Sequence, residues 1–225
     1  MPTLSAAAQA LAFVGALGLV LCGLGAALLF TLIGRRVPAQ RSLAAALLVS
    51  VSYTLLLFAV GAASKPRLIA HGDVKPFCEI DCHVVYGITS AYDSANNVVL
   101  TVREQFDGAS VSRSRGDAPM HPGTRRFALV DTSGRAWRPT RVHMLDSAPL
   151  FASMRPGESR RARLSFSVPP DAAIAGLLVE DDNPISPLLI GHERSPLHRK
   201  TLLVLPRGAT RVRAARAPSA PEHRG

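Results

Sequence analysis

The pattern of hydrophobic positions divides the chain into two parts. Residues 9–34 carry no ionisable side chain other than Cys22, and residues 43–63 carry no formal charge. A bilayer core of roughly 30 Å takes about 20 apolar residues in a helix, so each segment can cross a membrane. The pattern predicts a transmembrane helical hairpin over residues 9–63. We interpret Cys22 as a small apolar residue, and we expect four glycines of the first helix to let the two backbones approach closely: Gly15, Gly18, Gly23 and Gly25.

From residue 71 onward, short stretches of alternating apolar and polar residues replace the long apolar segments. The even positions from Cys78 to Ile88 are apolar, which is the period of two typical of a half-buried strand. Residues 97–106 and 162–168 alternate in the same way, and residues 174–180 and 201–206 add further apolar runs. Turn residues separate these segments. The pattern predicts six to eight short strands in an all-β sandwich over residues 71–205.

Two faces and two turns of this predicted sandwich can be specified from the spacing. Val98, Leu100, Val102 and Phe106 should share one buried face of their strand, because successive strand residues point to opposite sides. The sequence TSGR predicts a hairpin with Gly134 at its tip. The adjacent Pro156 and Gly157 predict a second turn, which precedes the strand containing Ala162, Leu164, Phe166 and Val168.

The turns occur in an order that resembles a known family. FALVDTSGRAWRP (127–139) is followed by PGES (156–159), LSFSVP (164–169) and DAAIAGLLVED (171–181). The series resembles the bacterial extracytoplasmic immunoglobulin-like domains of unknown function typified by the mycobacterial immunoprotective-antigen fold. The resemblance covers roughly residues 75–190 and implies an immunoglobulin-like sandwich, without implying a particular site. The two-helix hairpin departs from the single lipid anchor usual in such proteins.

The net charge of +10 is unevenly distributed. Three of the excess charges lie between the two apolar segments, and four lie in the tail from residue 206 onward. Residues 64–205 hold 18 basic and 15 acidic side chains, which leaves an excess of three. A nucleic-acid-binding protein concentrates positive charge on its folded surface, so we expect no nucleic-acid partner. Residues 206–225 lack an apolar pattern and are predicted to form a disordered basic tail.

The arginines between the helices predict the orientation of the hairpin. Short loops rich in Lys and Arg stay in the cytoplasm, and this loop holds Arg35, Arg36 and Arg41. The stretch before the first helix has neither residue type, whereas Lys65 and Arg67 follow the second helix. We expect a protein integral to the bacterial cytoplasmic membrane, with its C-terminal domain on the extracytoplasmic side.

The segment FCEIDCH (77–83) leaves three interpretations open. Cys78 and Cys82 could form a disulfide in an oxidising space, provided that the intervening residues turn, since an extended strand would place them about 13 Å apart. With His83 they could bind copper or act as a redox thiol pair, since thiolates and imidazole suit that metal. Cytochrome oxidase subunit II, with its helical hairpin and external β-domain, is similar in plan, but its copper motif has a His four residues after the second Cys, which is absent here. The third interpretation is that both cysteines are core residues of a strand.

Other polar residues give no candidate catalytic or cofactor site. The sequence has no Gly-x-Ser-x-Gly, phosphate-binding glycine loop or His-Glu-x-x-His motif. We interpret residues 180–182 as a solvated turn, and we assign no role to His192 or His198. The sequence therefore favours a non-catalytic binding or accessory module of the cell envelope, whose partner is an envelope protein or the envelope surface. The alternative is a copper-binding or redox-thiol protein that uses Cys78, Cys82 and His83.

Overall fold

The computed structural model describes residues 6–77, 83–94, 97–111 and 116–206 of the 225-residue chain. Two long helices begin it, α1 (Ala6–Leu32) and α2 (Arg36–Ala63). Both are long and apolar enough to cross a membrane. Most of their large apolar side chains are exposed, as helices that face lipid require. The two helices predicted from the hydrophobic pattern are confirmed.

The two helices pack against each other near their middles through a single glycine of the predicted set. A Cβ atom added at Gly23 would lie 2.9 Å from the Cβ atom of Ala46, so only glycine allows this approach without a shift. Cβ atoms added at Gly15, Gly18 and Gly25 would meet nothing within 4 Å. The prediction that glycines bring the backbones together is therefore confirmed at Gly23 and wrong at the other three positions.

Ten strands follow among the described residues, arranged in two five-stranded sheets. The first sheet has the order β1 (Arg67–Ile69), β10 (Thr201–Leu203), β9 (Ile174–Asp181), β5 (Arg125–Asp131) and β6 (Ala136–Trp137). The second has the order β2 (Lys75–Phe77), β3 (Val84–Ser94), β4 (Asn97–Phe106), β8 (Ser159–Ser167) and β7 (Arg141–Met144). All pairs are antiparallel except β1 and β10, which are parallel. The predicted fold class, two apolar helices followed by a β-sandwich, is confirmed.

The alternating side chains of β4 and β8 form the centre of the core. Val98 pairs with Phe166, Leu100 with Leu164 and Val102 with Ala162, and all of these side chains are buried. Leu129, Leu177 and Val179 of the other sheet lie in the same cluster and are fully buried. The buried face predicted for residues 98–106 is confirmed, because the period of two in the sequence matches the pleat of the strand.

The strand directions define two ends of the sandwich. At the end next to the helices, four strands begin, β1, β3, β5 and β8, and two strands end, β4 and β9. At the opposite end lie the β3–β4 hairpin, the β5–β6 turn and the β8–β9 connection. We refer to these as the helix-proximal and helix-distal ends.

The β5–β6 turn at the helix-distal end is fixed by Asp131. Its Oδ1 atom accepts hydrogen bonds from the backbone N–H of Ser133 at 2.9 Å and of Arg135 at 2.8 Å, and Gly134 takes the positive φ of 85° that the turn requires. Burial alone would raise the pKa of Asp131, but hydrogen bonds from Ser133 and Arg135 lower this pKa to about 2. The predicted hairpin tip at Gly134 is confirmed.

Some predicted segments differ from the structure or lie beyond what it describes. Of the strand predicted over residues 78–88, the structure shows β3 beginning at Val84, whereas residues 78–82 lie outside the described residues. Residues 207–225 also lie outside them, so the prediction for the tail stays a prediction. The short strands β1, β2 and β7 were not predicted, because three or four residues are too few to show a period, whereas β6 is the second strand of the predicted hairpin.

Candidate functional site

The connection between β9 and β10, residues 182–200, lies against the second helix. The hydroxyl group of Tyr53 donates a hydrogen bond to the carbonyl oxygen of Leu188 at 2.7 Å, and the hydroxyl oxygen of Ser64 accepts one from the backbone N–H of Arg199 at 2.6 Å. We call residues 182–200 the β9–β10 loop. These contacts join the sandwich to α2 at Tyr53, inside the helix, and at Ser64, the residue that follows its last turn.

A glycine makes the close approach of this loop to α2 possible. A Cβ atom added at Gly61 would lie 2.1 Å from the carbonyl oxygen of Pro196, a distance that no side chain tolerates. Gly191 of the loop also lies close to α2, since a Cβ atom added at Gly191 would be 3.6 Å from a side-chain carbon of Val60. Backbone therefore packs directly on backbone at the end of α2.

The β9–β10 loop is held in shape by local hydrogen bonds. The side-chain oxygen of Asn183 accepts from the N–H of Ile185 at 3.0 Å, and its carbonyl oxygen accepts from the N–H of Ser186 at 3.3 Å. One turn of 3₁₀-helix follows at Ser186–Leu188. An asparagine side chain that binds the backbone two residues later is a standard way to start such a turn.

A buried lysine joins the loop to the second sheet. The ammonium group of Lys75, in β2, donates to the carbonyl oxygen of Val179 at 2.6 Å and to the carboxylate of Glu193 at 2.7 Å. It also lies 4.8 Å from the centre of the Phe77 ring. Burial lowers the pKa of Lys75, and the nearby Glu193 carboxylate opposes that effect. The arrangement is an almost fully enclosed ion pair.

A second group of charges surrounds Asp181, the last residue of β9. Its carboxylate accepts a hydrogen bond from the hydroxyl of Ser186 at 2.5 Å and lies 3.4 Å from Nε2 of His192 and 3.5 Å from the guanidinium of Arg194. Burial alone would raise the pKa of Asp181, but the hydrogen bonds from His192 and Ser186 and the charge of Arg194 lower it. The loop is therefore held to β9 by charge-assisted contacts.

These contacts correct the interpretation of residues 180–182 as a solvated turn. Glu180 accepts a hydrogen bond from the ammonium group of Lys200 at 2.6 Å, and Asp181 has the partners just described. The partners lie 5 to 20 residues further along the chain, in a segment with no regular period. The one signal available to sequence analysis was the group of ionisable residues that follows at positions 192–194, in which His192 and Arg194 can pair with carboxylates.

Replacing Gly61 by Ala should release the β9–β10 loop from α2. The added methyl group would force Pro196 to move, and overpacking of a tight contact costs about 1–3 kcal/mol. Because 1.4 kcal/mol corresponds to a factor of ten, we expect amide hydrogen exchange of residues 188–198 to become roughly tenfold faster in the full chain. Gly25→Ala is the matched control, because a Cβ atom there meets nothing within 4 Å. Equal exchange in the two variants would contradict the described packing.

Of the predicted set Cys78, Cys82 and His83, the structure describes His83. Its side chain is buried, its Nδ1 atom lies 2.7 Å from the hydroxyl of Ser110, and its ring stacks on Phe106 with ring centres 5.7 Å apart. These contacts are those of a core histidine. Cys78 and Cys82 lie outside the described residues, so the disulfide, the metal site and the core interpretation all stay predictions.

Within the described part of the chain, no group of His, Cys, Asp and Glu side chains is arranged to hold a metal ion. Cys22 is the cysteine that this part contains, and it is a free, exposed side chain on α1. The position of Cys22 agrees with its interpretation as a small apolar residue of the helix.

A buried carboxylate in the core was missed. Glu104 follows the same alternation as Val102 and Phe106, so its inward position could be read from the spacing. It is fully buried, accepts a hydrogen bond from the hydroxyl of Tyr86 at 2.5 Å, and accepts another from the N–H of Phe151 at 3.0 Å. Phe151 has a positive φ of 66°, a conformation that costs energy for a bulky residue. Glu104 therefore holds a strained segment against the core.

Comparison with known proteins gives a distant relationship of fold. No protein-family model and no curated protein matches the chain. A solved structure, the secreted protein MPT63 of Mycobacterium tuberculosis, is similar at 14% sequence identity and a TM-score of 0.36, over 64% of this chain and 98% of that one. Similarity at this level concerns the fold alone. It adds nothing about a family, a site or a function.

Proposed function

We propose that the protein is a membrane-anchored β-sandwich that acts as a non-catalytic binding or accessory module of the bacterial cell envelope. The helical hairpin crosses the cytoplasmic membrane, and the sandwich lies on the extracytoplasmic side. Its partner is another envelope protein or the envelope surface. The observation that carries the proposal is the attachment of one end of the sandwich to the apolar helices.

This attachment supports a binding role because it orients the sandwich. Tyr53, Gly61 and Ser64 of the second helix and its C-terminal end contact the β9–β10 loop. The helix-proximal end then faces the membrane, and the turns of the helix-distal end, residues 132–135 and 168–173, face away from it. Loops presented on a rigid scaffold are the part of such folds that most often carries function.

The charge distribution supports the extracytoplasmic side. Arg35, Arg36 and Arg41 lie at or near the connection of the two helices, where positive charge favours retention in the cytoplasm. Because α1 and α2 are antiparallel, the sandwich then lies across the membrane from these arginines. The near balance of charge in residues 64–205 supports a protein or surface partner over nucleic acid.

Reporter fusions test the orientation. A reporter that is active only in the cytoplasm, fused after Pro206, should give no signal, whereas one that is active only outside should give full signal. The matched control is the same pair of reporters fused after Arg36, in the connection between the helices, where the two results should be reversed.

A cytoplasmic signal from the Pro206 fusion together with an external signal from the Arg36 fusion would invert the topology and overturn the extracytoplasmic assignment. Cytoplasmic signal from both fusions would show that α2 does not cross the membrane, which would overturn the proposed hairpin as well.

A further inference from the structure

The β9–β10 loop exposes large apolar side chains although it belongs to a polar domain. Ile185, Leu188 and Leu197 are 46%, 47% and 62% exposed. Leu197 also has a positive φ of 64°, so the backbone holds an exposed leucine in a conformation that favours glycine or asparagine. Strain of this kind persists where the surroundings require it and is often found at functional positions. An apolar partner for these three side chains would account for both observations.

The loop lies beside the membrane-spanning part of α2. Tyr53, which binds the carbonyl oxygen of Leu188, is ten residues before the end of the helix at Ala63. At about 1.5 Å per residue this places the contact about 15 Å along the helix from its end, and the apolar core of a bilayer is about 30 Å thick. Leu188 therefore lies alongside the half of the helix next to the sandwich.

The stretch of α2 that the loop contacts also exposes large apolar side chains of its own. Leu55, Leu56 and Phe58 of α2 are 65%, 52% and 41% exposed and belong to the same stretch of helix that the loop contacts. Two charged residues of the loop are directed to the sandwich. Glu193 contacts Lys75, and Arg194 contacts Asp181 in the sandwich. Residues 183–191 of the loop carry no charged side chain, whereas the exposed Arg199 lies two residues after Leu197.

The backbone of the loop is also suited to an environment without water. Hydrocarbon offers no hydrogen-bond partner, so backbone groups there need partners within the protein. The carbonyl oxygen of Leu188 has the Tyr53 hydroxyl. Three residues of the loop are prolines without an N–H group, at positions 184, 187 and 196. Ten further N–H groups donate within the protein, those of residues 182, 185, 186, 188, 189, 192, 194, 195, 198 and 199.

We propose that the β9–β10 loop enters the bilayer beside α2, with Ile185, Leu188 and Leu197 in contact with the acyl chains of phospholipids in the leaflet next to the sandwich. This proposal rests on the proposed function, since it requires that the helices span the membrane. The insertion attaches the sandwich to the membrane at a third place, in addition to α1 and α2. It also prevents the sandwich from rotating about the axis of the helical hairpin.

Quenching of tryptophan fluorescence by brominated acyl chains tests the insertion. The full chain is reconstituted into phosphatidylcholine vesicles with bromine on the acyl chains, in a Trp137→Phe background that removes the single native tryptophan. Leu188→Trp and Ile185→Trp are the test variants. Ser133→Trp, in the exposed β5–β6 turn, is the negative control, and Leu47→Trp, on the exposed face of α2, is the positive control.

We expect quenching at residues 185 and 188 close to that at residue 47 and several-fold above that at residue 133. Quenching at 185 and 188 as low as at 133, with residue 47 quenched, would overturn the insertion and leave the membrane anchoring intact. Absence of quenching at residue 47 would overturn both proposals. A blue-shifted but unquenched tryptophan whose emission depends on protein density would show a second copy of the chain on this surface, which also overturns the insertion.

Discussion

The Lys75→Met variant should lose about 3 kcal/mol of the free energy of unfolding of the sandwich. Lys75 is 5% exposed, and the Glu193 side chain that it contacts at 2.7 Å is 16% exposed. Removing the ammonium group leaves a largely buried carboxylate without its partner, which is the costly way to break such a pair. The change also removes the donor to the carbonyl oxygen of Val179. Urea denaturation of the full chain in detergent micelles, followed by the fluorescence of Trp137, measures the loss.

The double variant Lys75→Met/Glu193→Leu is the control for this ion pair. Replacing both partners by apolar residues of similar size is often neutral, because neither charge is then buried alone. We expect the double variant to recover most of the stability that the single variant loses. A double variant less stable than Lys75→Met, or a single variant within about 0.5 kcal/mol of the unaltered protein, would contradict the described pair.

The Glu104→Ala variant should lose about 4 kcal/mol, because two effects add. The hydroxyl of Tyr86 and the N–H of Phe151 lose their acceptor inside the core, and the truncated side chain leaves a cavity. The Tyr86→Phe variant removes the first hydrogen bond alone, so it should cost about 1–2 kcal/mol. The same denaturation experiment measures both variants.

Gln105→Ala is the matched control for Glu104, since residue 105 is its neighbour on the half-exposed face of β4. Surface substitutions of this kind change stability by about 0.5 kcal/mol or less. A Glu104→Ala variant as stable as Gln105→Ala would show that the carboxylate does not hold the segment at Phe151. A large loss in both variants would point instead to a general sensitivity of β4.

The elements predicted from the sequence are those whose formation depends on residues close together in the chain. The helices α1 and α2 are apolar over more than 20 residues, and β4 and β8 alternate over nine or more. Their burial follows from the sequence alone, because a period of two matches the pleat of a strand. The same spacing would have placed Glu104 inside, but this residue was missed, because a carboxylate in the core needs partners that spacing cannot supply.

The candidate site could not be predicted, because it depends on contacts between distant parts of the chain. Tyr53 and Leu188 are 135 residues apart, and Lys75 and Glu193 are 118 apart. No pattern in a short stretch of sequence predicts a contact between residues so far apart. Gly61 is one of several glycines in the two helices, and its role appears only when the carbonyl oxygen of Pro196 is placed beside it. Cys78 and Cys82, in contrast, form a motif that is visible in the sequence but lies outside the described residues, so the three interpretations of it stay predictions.

The parallel pairing of the first and last strands has a mechanical consequence. The chain enters β1 from α2 at the helix-proximal end, and β10 runs in the same direction, towards the helix-distal end. Tension between the hairpin and Pro206 would pull β1 and β10 in opposite directions along their length. The hydrogen bonds between them, from Arg67 N to Lys200 O and from Val204 N to Ile69 O among others, would then be loaded together in shear instead of one after another. The sandwich is connected so that it resists being pulled away from the helices by the chain that follows β10.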